Sequence, residues 1–165
     1  MSERNQPLNL GTLEPEGSNY SFKNLLLWQK AQELTVVVAK LVDRLPRRRS
    51  ADAIAMQLLR ATSSVAANIA EGHGRFSFAA YRNHLSIAKG SAAEARSWVD
   101  LASRLDYFDP EMTVQLDSAM NELIASLTRR MRALEAQESA AKRRNGSKVP
   151  RFKGSASTPQ NGGPE

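Results

Sequence analysis

No cysteine occurs in this chain, so neither a disulfide nor a thiolate metal site can form, and a reducing compartment fits. Histidine is scarce as well. His73 and His84 form no His-x3-His pair and have no carboxylate cluster beside them, so no metal site and no cofactor are expected. Long apolar runs are missing. The longest cluster, Leu25-Leu26-Leu27-Trp28, falls far short of the ~20 residues a membrane span needs. Residues 1–20 are polar and carry Glu14 and Glu16, which a secretory signal would not. No segment alternates apolar and polar residues over strand length, and no turn carries a hairpin signal. These absences leave a soluble, cytoplasmic, helical protein.

What is present is helical periodicity. Leu27, Leu34, Val37, Val38, Leu41 and Leu45 form a stripe that predicts a helix over residues 22–45, stopped by Pro46. Ile54, Leu58, Ala61, Val65 and Ile69 predict a second helix over 51–71, with Ser50 as N-cap and Asp52 near its positive end. Tyr81, Leu85, Ala88, Ala92 and Ala95 predict a third over 78–105, capped by Ser77. Between these two lie Gly72 and Gly74, expected to take positive φ at the C-cap of the second helix. Asp109 and Pro110 open a fourth helix whose stripe runs through Leu116, Met120, Leu123, Leu127, Met131 and Leu134, fraying over residues 136–142. Alanines 66, 67 and 70 on one helix and 88, 92, 93 and 95 on the next either let the backbones approach closely or form a flat face for another subunit.

Four stripes joined by short loops make an all-α fold, an antiparallel up-down-up-down four-helix bundle over residues 22–136. Residues 1–21 read as a disordered leader, and residues 137–165 as a basic, Gly/Ser/Pro-rich disordered tail.

Charge is uneven along the chain. The net +6 divides into −2 for residues 1–21, +4 for 22–135 and +4 for 136–165. Arg75, Arg82, Lys89 and Arg96 repeat every seven residues along the hinge and third helix. Arg44, Arg47, Arg48 and Arg49 form a basic corner after the first, and Arg129, Arg130 and Arg132 lie on the fourth. Arginine forks suit phosphate oxygens, so these rows are candidate contacts to an RNA or DNA backbone. The tail adds Lys142, Arg143, Arg144, Lys148, Arg151 and Lys153 around Phe152. Either these charges hold nucleic acid or they solvate an ordinary surface. No motif for reading bases is present.

Arg60, Ser64, Asn68 and Glu71 fall on one stripe of the second helix, and Ile87, Ser91, Glu94 and Trp98 form a line on the third. If the lines face each other, Arg60 pairs with Glu94 and Glu71 with a basic residue. Such a stripe can fix register or bind a partner. Glu71 and His73 could serve as acid and base, but nothing marks a pocket or a positioned substrate, so catalysis is not expected. Gly-His-Gly is no phosphate loop either, because no strand precedes it and no Gly-Lys-Ser/Thr follows.

Two stretches carry a family resemblance. Phe22-Lys-Asn-Leu-Leu-Leu-Trp-Gln-Lys-Ala-Gln-Glu-Leu with Leu45-Pro46, and Gln57-Leu-Leu-Arg-Ala-Thr-Ser-Ser-Val-Ala-Ala-Asn-Ile-Ala-Glu-Gly-His-Gly-Arg, resemble the four-helix-bundle family encoded in intervening sequences of bacterial 23S rRNA genes. Tyr81, His84-Leu85, Ile87-Ala88, Gly90-Ser91 and Glu94 extend the likeness, which covers residues 22–135. Arg60, Asn68, Glu71, Gly72, Gly74, Arg75, Ser91 and Glu94 occupy signature positions. The chain departs from the pattern in lacking an early acidic residue in the third helix and in having His84 where an aromatic is commoner.

The resemblance implies a homopentamer. A related branch comprises the accessory variability determinants of diversity-generating retroelements, which bind a reverse transcriptase and its template RNA without catalysing a reaction. The expectation is thus a non-enzymatic, oligomeric nucleic-acid-binding adaptor serving a reverse transcriptase; the alternative is a structural or protein-interaction bundle with no nucleic-acid partner.

Overall fold

A computed structural model describes residues 21–146. One turn of 3-10 helix, Phe22–Asn24, precedes α1 (Leu26–Val42), α2 (Arg49–His73), α3 (Phe78–Arg104) and α4 (Pro110–Gly146). No strand occurs among the described residues. The leader before Ser21 and the tail after Gly146 lie outside them.

α3 runs opposite to both α2 and α4, as the cross-links show. Arg60 meets Glu94 while Ser64 meets Ser91 across α2 and α3; Arg82 meets Glu138 while Arg96 meets Asp117 across α3 and α4. Each helix buries one stripe. One end of the core gathers Val65, Ile69, Leu85, Leu127 and Leu134, and the other Val38, Leu58, Val99, Phe108 and Met120. Fully burying one such side chain stabilises the fold by roughly 1.5–3 kcal/mol, which makes this shared core the main source of stability. Ala61, Ala66, Ala88, Ala92 and Ala95 are buried while Ala67 and Ala93 are exposed, so the small residues chiefly bring backbones together.

Helix boundaries differ from the sequence pattern for local reasons. α1 starts at Leu26 because Ser21 caps the short turn, Leu25 is extended, and Phe22 packs edge-on against Trp28 with ring centroids 5.2 Å apart. It ends at Val42, where Arg44 and Leu45 bond back by three residues ahead of Pro46. Ser50 does not cap α2. That helix begins at Arg49, after extended Arg48 with no side-chain cap, and the Ser50 hydroxyl instead shares a 2.6 Å hydrogen bond with Tyr107.

The glycine expectation holds for the cap and fails for the backbone angle. Gly72 lies inside α2, and Gly74 caps it at φ −75°, so neither takes positive φ. The left-handed residue is Asp106, at φ 56°, in the α3–α4 turn. Ser77 caps α3 as expected, accepting from the Ala80 amide at 3.1 Å. Asp109 likewise accepts from the Met112 amide at 2.7 Å. The fraying expected over 136–142 does not occur. α4 continues as helix to Gly146, held sideways where Glu138 meets Arg82 and Lys142.

At 1.5 Å per residue the 17 residues of α1 span about 26 Å and the 37 of α4 about 55 Å. The last turns of α4 therefore pass beyond α1, alongside the α2–α3 hinge.

Candidate nucleic-acid interface

The two predicted polar lines meet as a seam between α2 and α3. Arg60 Nη2 donates to Glu94 Oε1 at 2.7 Å, and its Nε to Gln57 Oε1 at 3.0 Å. Trp98 Nε1 reaches the same Glu94 oxygen at 3.5 Å. Ser64 and Ser91 share a hydrogen bond of 2.9 Å, and Asn68 Nδ2 donates to the Ser64 carbonyl at 2.9 Å. The line then departs from the sequence reading. His84, not Ile87, continues it: the Asn68 Oδ1 lies 3.3 Å from His84 Nδ1, and Arg75 Nε donates to His84 Nε2 at 3.2 Å. Arg75 also clasps Glu71. A neutral imidazole with its proton on Nδ1 satisfies both neighbours at once. His84 could have been found from its place one turn after Tyr81, on the side of α3 that meets α2.

Glu71 is thus occupied by Arg75, with His84 3.8 Å away. His73 packs edge-on against Tyr81, ring centroids 6.1 Å apart. Among the described residues no group of His, Asp and Glu gathers as a metal ion would need, and no helix is long and apolar enough to cross a membrane.

The basic rows separate into paired and unpaired groups. In the heptad row, Arg75 is held by Glu71, Arg82 by Glu138, and Arg96 by Asp117 at 2.7 Å; Lys89 is exposed and has no partner among the described residues. On α4, Arg129 donates to Ser126 at 2.7 Å and Arg130 sits 5.5 Å over the Tyr81 ring, whereas Arg132 is exposed and unpaired. Sequence reasoning missed Asp117 and Glu138 because they lie on another helix. Arg44, Arg47, Arg48 and Arg49 are all exposed at the α1–α2 corner, and no carboxylate among the described residues pairs with any of them.

Two further surfaces stand out. Between α1 and α4 there is an open groove of about 380 Å³, lined by Leu34, Val37, Leu116 and Leu123 among others, with Lys30 bonded to Glu122 at its edge. That pair holds the Glu122 carboxyl below the usual glutamate range, first through the hydrogen bond and then through the lysine's charge. A smaller space of about 260 Å³ continues along the same seam past Leu26, Leu27 and Arg129. At the α2–α3 hinge, Phe76 is wholly exposed and Phe78 is 39% exposed.

Comparison with known proteins now bears on the fold. No curated protein matches this chain. Among solved structures, a protein of unknown function from the S23 ribosomal protein family of Bacteroides thetaiotaomicron VPI-5482 superposes with a TM-score of 0.61 at 26% identity. The match covers 64% of this chain and 98% of that one. The family model described as 23S rRNA-intervening sequence protein matches residues 23–129, which include the whole α2–α3 seam. The chain belongs to the 23S rRNA-intervening sequence protein family.

Proposed function

We propose that this protein is a non-enzymatic, self-associating adaptor that holds nucleic acid by its backbone. One observation carries the reading: Arg44, Arg47, Arg48 and Arg49 are exposed together, and no carboxylate among the described residues pairs with any of them. An arginine already clasped by an acid must break that pair to take a phosphate, as Arg75, Arg82 and Arg96 would. The corner arginines break nothing, so their forks are ready for phosphate oxygens. Within this reading, the finer role is that of a reverse-transcriptase accessory protein presenting template RNA. The sequence resemblance supports that role.

A second reading is favoured by the α1–α4 groove. Its apolar walls, with Val37 46% exposed and Leu26 65% exposed further along, fit another copy of this chain. Self-association there, without nucleic acid, would make the protein a purely structural bundle.

One experiment separates the two. RNA retention and assembly mass are measured for the wild type and for a variant with Arg47, Arg48 and Arg49 replaced by Gln. The adaptor reading expects retention to fall with the assembly unchanged. A wild-type protein that is monomeric and ignores polyanions in dilute buffer overturns it.

A further inference from the structure

We infer that the hinge end of the bundle, around Phe76 and Phe78, is a stacking platform for unpaired bases of single-stranded nucleic acid. The inference rests on the reading that the chain binds nucleic acid, and adds to it the strandedness of the ligand and a second contact region. Arg47–Arg49 lie at the far end of α2 from this hinge, the 25 residues of that helix spanning about 38 Å.

A single exposed apolar side chain is ordinary on a soluble surface. Several features converge here. Phe76 has no cover among the described residues, and Phe78, two residues on, is 39% exposed. Phe78 lies one turn before Arg82 and so on the same face of α3, the face that meets α4 through Glu138. α3 and α4 run antiparallel at equal rise, so the Arg82–Glu138 pair sets their register. Lys142 then comes level with Phe78, and Arg143 and Arg144 with the hinge. Lys142 is bonded to Glu138 at 2.8 Å, but Arg143 and Arg144 are exposed and have no partner among the described residues.

Aromatic rings beside unpaired cations match one kind of ligand. A single strand offers π-faces to the rings and phosphates to the guanidinium groups. A duplex hides its bases in the stack and offers the cations alone.

The test uses the full-length protein and fluorescence anisotropy with two probes, a short unstructured RNA strand and an RNA duplex of equal length. Phe76→Ala should weaken single-strand binding roughly five- to hundred-fold, the range for losing one base stack. Duplex affinity and the salt dependence should stay as they were, and Phe76→Trp should restore the single-strand affinity. Because Phe76 has no cover, its variants should fold with unchanged Tm. Equal loss for both probes, or no loss, overturns the inference and leaves the adaptor reading standing. A change in assembly mass with RNA binding intact also overturns it, by assigning the ring to a protein contact. If the wild type binds neither probe, the adaptor reading falls and the platform with it.

Discussion

A methyl group on Gly72 would sit 2.7 Å from the Cβ of His84, and only 2.8 Å from the Tyr81 ring. The glycine is therefore a packing residue of the α2–α3 contact rather than a turn residue. In an open helix, Gly→Ala stabilises by about 1 kcal/mol. Here the added carbon meets a Cβ that cannot swing away, and overpacking of this kind costs about 1–3 kcal/mol. Gly72→Ala should lower stability by about 1–2 kcal/mol in urea unfolding. Gly90 supplies the contrast, since nothing lies within 4 Å of a Cβ there. Gly90→Ala should raise stability by about 0.5–1 kcal/mol in the same assay.

Acid should loosen the end of α4. The Glu138 carboxyl is held below its ordinary value of 4.5, first by hydrogen bonds from Lys142 and Arg82 and then by their charges, against an opposing effect of burial. A carboxyl whose folded-state pKa is depressed contributes stability that is fully present above the unfolded value. That contribution disappears as pH falls through the lower, folded value. Amide exchange over residues 135–146, taken relative to its intrinsic pH-dependent rate, should therefore be unchanged from neutral pH down to about 5 and quicken below about 4.5. Glu138→Gln should quicken it at neutral pH and flatten the acid response.

Asp106 turns the chain from α3 into α4 at φ 56°, where its amide bonds the Ser103 carbonyl at 3.0 Å. An L-residue pays about 1–2 kcal/mol for left-handed backbone, and aspartate is among the better tolerated. Asp106→Gly should be neutral or stabilising by up to about 1 kcal/mol, whereas Asp106→Val should destabilise by about 1–2 kcal/mol. Thermal unfolding of the two variants checks the sign of each.

The fold was legible because its information is local. Stripes such as Ile54, Leu58, Ala61, Val65 and Ile69 are readable at 3.6 periodicity, and all five are buried. The Arg60–Glu94 pair was legible for a related reason, since two polar lines flank the same hinge. What could not be read depends on contacts between distant segments. Ser50 prefers Tyr107, 57 residues away, to the cap position. Arg82 and Arg96 look free on a helical wheel and are claimed by acids on α4. α4 continued past Leu134, the last residue of its apolar stripe, because residues 135–144 are mostly good helix formers and Glu138 ties them to α3.

The split between paired and unpaired arginines predicts how RNA affinity should respond to salt. Each phosphate neutralised on a single strand adds about 0.7 to the negative slope of log affinity against log salt. Replacing Arg47, Arg48 and Arg49 with Gln should make the slope shallower by about 2 if all three contact phosphate. Arg96 is already bonded to Asp117 at 2.7 Å, and its replacement should leave the slope unchanged. The pair is half-exposed, so the variant should lose no more than about 1 kcal/mol of stability. Anisotropy titrations of one RNA strand over a salt series give both slopes. Equal slopes for the corner variant and the wild type would remove the corner from the interface, and a shallower slope for Arg96→Gln would show that the ion pair opens to admit phosphate.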